Sequence, residues 1–236
     1  MGIKSGWNRA CAETIGSDVF WDIAVDHLSI RRELVPLIER YTRGRVLDAG
    51  AGRMAWRSLL QARADEYMSM DYEPTHPDLS FQGDLRGGLP IDDGSVDTVF
   101  CCSVLEHIPE PWLAFAELKR IMRPGGHIIL SVPFIYYLHG APHDYFRFTR
   151  HGVIAMATTA GFEIAELRTS GGIAHMLLHA VSMVSTSVLW HRRIPRLAAA
   201  PAQLLFGTAK LIDKLDREGL FAQTVNVVLR QPLDTP

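Results

Sequence analysis

The chain has 236 residues, of which 47% are hydrophobic, and its formal net charge at pH 7 is −2. This composition can fill one sizeable core, and the near-neutral charge excludes the strong basic field that nucleic-acid-binding proteins use. We therefore expect residues 1–236 to form a single domain with no nucleic-acid partner.

The cysteines and the first residues indicate the compartment. Cys101 and Cys102 are adjacent inside an apolar run, which suits neither a disulfide framework nor a spaced zinc site. Lys4, Arg9 and Glu13 lie where a signal peptide would need an apolar stretch. The sequence predicts a cytoplasmic protein with no metal site.

Residues 1–44 are predicted to be a helical segment ahead of the first strand. Apolar residues recur at helical spacing from Ser17 to Tyr41, and Ser17 is a candidate helix cap. Pro36 either splits this helix or lies in the first turn of its second piece. The segment either packs on the remaining chain or forms a lid over a bound ligand.

A glycine-rich turn follows, in the stretch from Arg45 to Trp56. Val46 and Leu47 are typical of the end of a buried strand, and glycines at 50 and 52 permit a tight turn into a helix predicted from Met54 to Ala64. Such a turn presents free backbone N–H groups to a ligand.

Three interpretations of this turn are open. Gly50, Gly52 and Ala55 satisfy the loose dinucleotide pattern, with Asp71 at about the expected distance. Asp48 would face phosphate charge in such a site, whereas it could face the sulfonium of S-adenosylmethionine, so a cationic ligand is favoured. The third interpretation is a turn without a ligand.

Two further aspartates follow short strands. Asp71 ends a strand predicted at Tyr67–Met70, where it could accept hydrogen bonds from both hydroxyls of a ribose. Asp84 follows a short strand at Phe81 and could accept from an adenine amino group. The alternative for Asp71 is an ordinary solvated loop residue.

The next elements continue an alternation of strands and helices. A strand is predicted at Val96–Cys102, a helix begins near Pro111, Pro124–Gly126 end that helix, and a strand follows at His127–Val132. The alternation predicts a parallel sheet covered on both faces, with the ligand at the carboxyl ends of its strands.

Four ordered motifs carry a family resemblance. They are Val-Leu-Asp-Ala-Gly-Ala-Gly at 46–52, Leu-Pro-Ile-Asp-Asp-Gly-Ser-Val-Asp at 89–97, Leu-Glu-His-Ile at 105–108 and Leu-Lys-Arg-Ile-Met-Arg-Pro-Gly-Gly at 118–126. Together they resemble the class I S-adenosylmethionine-dependent methyltransferases of the type 11 branch, over about Arg45 to Leu167. One departure is Met54, where many relatives have a third glycine.

The resemblance implies a fold, a cofactor and a set of site residues. The implied fold is a Rossmann-like, doubly wound, seven-stranded α/β sheet, mostly parallel, with the last strand antiparallel and a C-terminal helical insertion. The cofactor is S-adenosylmethionine: Asp48, Gly50 and Gly52 would line its methionine part, Asp71 its ribose and Asp84 its adenine, with Ser103 and Val104 at the sulfonium. Within the single domain, the cofactor-binding core spans 45–168, the insertion 169–221, and the last strand and tail 222–236.

Candidate catalytic residues lie in the segment from Phe134 to Thr149. His143 is the preferred general base, Asp144 its possible orienting partner and His139 the alternative base, with Tyr145 beside them. An architectural interpretation is equally open, in which Arg147 pairs with a carboxylate and Thr149 caps the next helix. We favour a structural role for Glu106 and His107.

The expected function is direct transfer of a methyl group to a small-molecule or lipid-linked acceptor, at oxygen. The alternative is a non-catalytic scaffold that retains the fold. The acceptor itself is not readable from the sequence, because the segment mixes phenols, imidazoles and a guanidinium without a discriminating pattern.

The insertion is the most individual part of the chain. From Thr169 to Trp190 it contains no Asp, Glu, Lys or Arg, and Trp190 precedes Arg192, Arg193 and Arg196. This pattern favours peripheral contact with a membrane or an apolar partner surface. The alternative is a helical hairpin packed on the sheet or on a second copy of the chain through residues 173–217.

Overall fold

The structure is a computed structural model that describes residues 2–191, 197 and 199–233. It divides the chain into two compact units, one containing residues 1–34 and 169–224 and the other containing residues 35–168 and 225–236. We call them the helical unit and the sheet unit. This division differs from the predicted single domain, although the predicted start of the insertion at residue 169 coincides with a boundary between the units.

Seven strands form one sheet: β1 (Arg45–Ala49), β2 (Glu66–Asp71), β3 (Phe81–Gln82), β4 (Val96–Cys102), β5 (Met122–Pro133), β6 (Glu163–Ser170) and β7 (Thr224–Arg230). Their order is β3-β2-β1-β4-β5-β7-β6. Strands β1 to β5 pair in parallel, and the C-terminal strands are antiparallel, which confirms the predicted fold class.

Local sequence explains the strands. β1 and β4 are almost wholly buried, as expected for parallel strands covered on both faces. β4 has its predicted bounds, and β7 lies within the predicted last strand and tail at 222–236. β5 begins earlier than predicted, because Pro124–Gly126 continue from Met122 as strand with a register shift opposite β4 between Val96 and Thr98.

The α-helices that lie wholly within the described part of the sheet unit are α4 (Arg57–Gln61), α5 (Pro111–Ile121) and α6 (Arg150–Thr159). α4 is shorter than the predicted helix from Met54 to Ala64. α5 has proline at its first position, where the missing N–H costs no hydrogen bond. Its buried Phe115 and Leu118 join the main core with Val99 of β4 and Ile128 of β5.

The N-terminal segment folds differently from its prediction. Its helices are α1 (Ile3–Thr14), α2 (Asp18–Asp22) and α3 (Val25–Tyr41). α1 agrees with the helical segment predicted for residues 1–44 but precedes the helix predicted from Ser17 to Tyr41. That helix breaks before Val25 rather than at Pro36, which lies inside α3. The boundary between the units falls within α3, after Leu34.

The insertion forms α7 (Ile173–His191) and α8 (Ala199–Ile212), which contact each other within the helical unit. Asp213 accepts hydrogen bonds from the backbone N–H groups of Ala174 (2.8 Å) and His175 (3.1 Å) at the start of α7. A carboxylate at this end satisfies unpaired amides and the helix dipole. The predicted hairpin is therefore present.

The polar stripe of α7 faces inward and its apolar face is exposed. His175, His179, Ser182 and Thr186 are buried. Thr186 donates a hydrogen bond to the Ile23 carbonyl at 2.7 Å. The exposed apolar residues of α7 are Ile173, Leu177, Val181, Val184 and Val188.

One part of the insertion prediction is wrong. Trp190 is buried against Trp7, Ala10 and Ile23, and its indole N–H donates to Glu13 at 2.8 Å. It cannot act as an exposed interfacial aromatic residue in this conformation. Arg192, Arg193 and Arg196 lie outside the described residues.

By length and composition alone, one helix in the described part of the chain could cross a membrane. It runs from Ile173 to Trp190, and 39% of it is buried. A core helix of a soluble protein passes the same test, so this finding by itself is weak support for a membrane span.

Candidate cofactor and acceptor site

A cavity of about 500 Å³ opens within the sheet unit where β1, β2 and β4 end. This volume lies within the range of small-molecule sites. Its walls include Gly50, Gly52, Asp71, Asp84, Ser103, Val104, His107, Gly140, His143 and Tyr145. The structure thus brings predicted cofactor residues and two predicted catalytic residues to one cavity.

The turn after β1 requires glycine at position 50. Gly50 has φ 76°, in the left-handed region, and a Cβ there would lie 2.3 Å from Val104 Cγ2. Met54 also adopts a left-handed conformation, with φ 62°. This conformation gives a physical reason for a glycine at that place in relatives.

The amides of this turn are not free, contrary to the prediction. Gly50 and Ala51 both donate to the Met70 carbonyl, at 3.0 and 2.9 Å. Gly52 donates to Asp71 Oδ2 at 2.8 Å. The turn is therefore hydrogen-bonded to the end of β2. It leaves room for a ligand mainly because its glycines have no side chains.

Asp71 can still serve a ligand. Its Oδ1 accepts from the Glu73 amide at 3.2 Å, and its Oδ2 accepts from Gly52. A carboxylate has about four acceptor positions, so both oxygens retain capacity. Asp71 lines the cavity, in a position suited to ligand hydroxyls.

Asp84 lines the same cavity but is held by Arg86. The guanidinium donates to Asp84 Oδ2 at 2.9 Å from Nε and 2.7 Å from its terminal nitrogen. These hydrogen bonds lower the pKa of Asp84, so the carboxylate is ionised at neutral pH. Oδ1 also accepts from the Arg86 amide at 2.9 Å and from Nε at 3.1 Å, so an adenine amino group would have to share these oxygens with Arg86.

Asp48 is not among the residues that line the cavity. It is buried, and it accepts a hydrogen bond from the Tyr67 hydroxyl at 2.9 Å. Burial raises the pKa of Asp48 to about 7, while the Tyr67 hydrogen bond opposes the shift. The predicted contact of Asp48 with the methionine part of the cofactor stays a prediction.

Ser103 and Val104 follow β4, as the resemblance implied, and both line the cavity. Ser103 has a left-handed φ of 55°, and its amide donates to the Ser131 carbonyl of β5 at 2.9 Å. This backbone turns the chain at the strand end and leaves the Ser103 side chain exposed.

His143 and Tyr145 lie together on the cavity wall. His143 Nδ1 lies 2.9 Å from the Tyr145 hydroxyl, so the two groups share a hydrogen bond. His139 and Asp144 are not among the lining residues. The structure therefore brings two of the four predicted catalytic residues to the cavity.

Asp144 does not orient His143, contrary to the predicted pairing. Its two oxygens bind the Arg147 guanidinium at 2.6 and 2.9 Å, and Oδ2 also accepts from the His139 amide at 2.8 Å. Hydrogen bonds from Arg147 hold the pKa of Asp144 well below its usual range. The predicted pairing of Arg147 with a carboxylate is confirmed, as is the Thr149 cap, which accepts from the Gly152 amide at 3.0 Å.

Glu106 and His107 hold the segment from Phe134 to Thr149 in place. The Glu106 carbonyl accepts from the Tyr145 amide at 2.8 Å, and His107 Nδ1 contacts the His143 carbonyl at 2.5 Å. A Cβ at Gly140, which has φ 65°, would lie 2.6 Å from His107 Cε1. These contacts support the predicted structural role, and His107 also lines the cavity.

His139 faces the buried carboxylate of Glu106. Burial lowers the pKa of His139, but the interaction with Glu106 outweighs it, and the net shift is upward. No signal in the sequence indicates this contact, because 33 positions separate His139 from Glu106 and no local motif joins them.

The sheet order, the glycine turn and the carboxylates after β2 and β3 define a Rossmann-like domain with a cofactor cavity at its strand ends. Residues 47–130 match the family model of a methyltransferase domain, type 11. This matched region is a class I S-adenosylmethionine-dependent methyltransferase domain of the type 11 branch.

Several proteins are similar to this chain. An uncharacterized methyltransferase of Mycobacterium sp. (strain KMS) is 33% identical over 94 residues, which is 36% of this chain and 37% of that protein. The ubiquinone biosynthesis O-methyltransferase of Ralstonia nicotianae is 34% identical over 94 residues, which is 33% of this chain and 40% of that protein. The chain thus spans about two fifths of the length of these curated relatives.

A solved structure has the same fold. The S-adenosylmethionine-dependent methyltransferase from Archaeoglobus fulgidus matches with a TM-score of 0.58 at 15% identity, covering 88% of this chain and 94% of that one. The likeness therefore extends beyond the region matched by the family model, to most of the chain.

Proposed function

We propose that this protein transfers a methyl group from S-adenosylmethionine to the hydroxyl of a small-molecule acceptor. The observation that carries the proposal is the shared cavity, which places Asp71 and the glycine turn on the same walls as His143 and Tyr145. The resemblance to an O-methyltransferase of ubiquinone biosynthesis supports oxygen as the methylated atom.

The residues present fit the cofactor. Asp71 would accept hydrogen bonds from the ribose hydroxyls and Asp84 from the adenine amino group. A Cβ at Gly52 would meet no atom within 4 Å, so this position leaves open space against a ligand. When bound, S-adenosylmethionine supplies a methyl group on a sulfonium, a leaving group that needs no acid catalysis.

The residues of the acceptor side supply alignment and a base. Most of the rate enhancement of a direct displacement comes from holding the acceptor oxygen in line and excluding water. In the tautomer whose Nδ1–H donates to the Tyr145 oxygen, His143 Nε2 is free to take the hydroxyl proton. The new bond joins oxygen to the methyl carbon as the carbon–sulfur bond breaks.

We further propose that the acceptor is lipid-linked and that the apolar face of α7 lies on an anionic membrane surface in the cytoplasm. The support is the exposed stripe of Leu177, Val181 and Val188, together with Arg192, Arg193 and Arg196 that follow it in the sequence. An apolar helix face with adjacent basic residues is typical of interfacial helices.

The test is transfer of a labelled methyl group into fractions of a lipid and small-molecule extract, followed by mass identification of the labelled product. We expect label in an O-methylated product, and label that depends on Asp71. A protein that binds no cofactor and transfers no label would leave the scaffold as the remaining function.

A further inference from the structure

A buried carboxylate lies beside the cavity without a donor. The Glu106 side chain is fully buried, and neither of its carboxylate oxygens has a hydrogen-bond partner among the described residues. An ionised carboxylate is buried in proteins only when it is paired or coordinates a metal. The mechanism proposed above does not use this group.

Two imidazole nitrogens point at the same place. His139 Nε2 lies 3.4 Å and His107 Nε2 lies 3.8 Å from Glu106 Oε1. The three ligand atoms lie within 4.8 Å of one another. Ligands held about 2.1 Å from a tetrahedral ion are about 3.4 Å apart, so these atoms need only small shifts to surround one ion.

The second nitrogen of each ring, Nδ1, contacts a backbone carbonyl. His107 Nδ1 contacts the His143 carbonyl at 2.5 Å, and His139 Nδ1 contacts the Tyr137 carbonyl at 3.3 Å. A carbonyl can only accept, so each Nδ1 carries a proton, and a ring that holds only this proton presents its lone pair at Nε2. Backbone carbonyls behind the rings are the usual outer partners of metal-bound histidines.

We propose that Glu106, His107 and His139 bind one divalent transition-metal ion. Two neutral rings and an ionised carboxylate would repel each other in a poorly solvated place, so a cation, either ring protons or a metal ion, lies between them. Two imidazoles and one carboxylate suit Zn²⁺ or Mn²⁺ better than Mg²⁺, which prefers oxygen ligands and retained waters. The proposal departs from the sequence-based expectation that the chain binds no metal.

The site adjoins the cavity, because His107 belongs to both. Three protein ligands leave at least one coordination position for water or another oxygen. The acceptor hydroxyl could occupy it, where the ion would lower the pKa of the hydroxyl. This consequence rests on the proposed function, whereas the metal site itself does not.

The experiment uses the full-length chain stripped with a chelator, without cofactor or acceptor. Zn²⁺ is titrated by calorimetry, and Co²⁺ is added as a probe whose visible absorption reports its ligands. We expect one ion per chain. Glu106→Gln and His139→Gln should each lower the affinity by more than the 10- to 100-fold that loss of an outer partner costs. His151→Gln, at an exposed histidine in α6, is the matched control and should bind as the wild type does.

Circular dichroism of every variant establishes that it is folded before it is titrated. Absence of saturable binding, or binding that survives in the folded Glu106→Gln/His139→Gln variant, overturns the metal site. Protonated rings would then be the partners of Glu106. Calorimetry of the metal-free protein with S-adenosylmethionine reports separately on the proposed function, so failure of one leaves the other measurable.

Discussion

The backbone amide of Gly52 donates a hydrogen bond to Asp71 Oδ2 at 2.8 Å, joining the turn after β1 to the end of β2. Asp71 therefore has two tasks: it holds the glycine turn in place, and it presents acceptor positions to the cavity. A change at Asp71 should affect both the shape of the turn and the affinity for ligand.

Asp71→Ala should weaken binding of S-adenosylmethionine by about 1–3 kcal/mol, because hydrogen bonds to a charged acceptor are lost. Titration calorimetry with the cofactor and with its demethylated product measures the change. Asp65→Ala, at an exposed aspartate just before β2, is the control and should bind normally. Equal affinities of the Asp71→Ala variant and the wild type would contradict the ribose assignment.

The two glycines of the turn should respond differently to alanine. Gly50→Ala places a side chain on a left-handed residue, which lowers the free energy of unfolding by about 1–2 kcal/mol. Its Cβ would also lie only 2.3 Å from Val104 Cγ2. Gly52→Ala has the backbone cost alone, because its Cβ would meet no atom within 4 Å. Urea denaturation should therefore show a larger loss of stability for Gly50→Ala.

Cofactor affinity gives the complementary readout at these positions. Gly52→Ala should lower affinity more than its loss of stability alone explains, since its Cβ enters open space at the cavity wall. Val104→Ala in the Gly50→Ala background should recover the stability lost to the clash with Val104. The loss caused by the left-handed backbone should remain. No recovery would show that the contact with Val104 is unimportant.

The base assignment predicts a loss of turnover at His143. If the acceptor is a hydroxyl, His143→Ala should lower kcat by about 10²- to 10⁴-fold while cofactor affinity stays nearly unchanged. Tyr145→Phe removes the hydrogen-bond partner of His143 Nδ1 and should lower kcat by a smaller factor than His143→Ala does. A comparable loss from His139→Ala alone would assign the role to His139, as the base or through the proposed metal site, and titration of this variant with Zn²⁺ separates the two. Unchanged turnover in all three variants would mean that alignment suffices without a base.

The buried carboxylate of Asp48 predicts a pH dependence of stability. Its pKa is raised by burial from 3.8 to about 7, so the folded state binds a proton that the unfolded state has released between these values. The free energy of unfolding should therefore fall as pH rises from about 4 to about 7. Asp48→Asn, which has no charge to bury, should remove this part of the fall.

Urea denaturation at several pH values compares the two proteins. The advantage of Asp48→Asn over the wild type should grow from pH 5 to pH 8. Tyr67→Phe removes a hydrogen bond that favours the charged form, so it should raise the pKa further and extend the fall to higher pH. Parallel curves for wild type and Asp48→Asn would contradict the assignment.

The exposed face of α7 predicts binding to anionic vesicles. Leu177 and Val181 are 59% and 52% exposed, so Leu177→Ser/Val181→Ser should weaken cosedimentation with little effect on folding. Replacing Arg192, Arg193 and Arg196 with glutamine should also weaken it, by about 1 kcal/mol for each residue near the surface. Trp112→Ser/Leu113→Ser, at exposed apolar residues of α5, is the control.

A wild-type protein that stays in the supernatant at low salt would contradict the membrane interpretation. The exposed face of α7 would then be available for a second copy of the chain, and sedimentation velocity would detect such a dimer through a dependence on protein concentration.

Local patterns in the sequence determined much of the sheet unit. β4 has its predicted bounds, β7 lies within the predicted last strand and tail, and the ordered motifs led to the correct fold class and cofactor family. These features depend on neighbouring residues: buried parallel strands need continuous apolar runs, and a sharp turn such as that at Gly50 needs glycine. Such features can be predicted from a few consecutive residues, because they do not depend on distant parts of the chain.

Tertiary structure alone decided which polar groups meet. It paired Asp144 with Arg147 instead of His143, buried Asp48 against Tyr67, and brought His139 to Glu106. It also turned the polar stripe of α7 inward, where its hydroxyls bind backbone groups near Ile23. Each of these outcomes depends on burial and competition among several possible partners, and the energies of such contacts are set by surroundings that residue types and spacing do not specify.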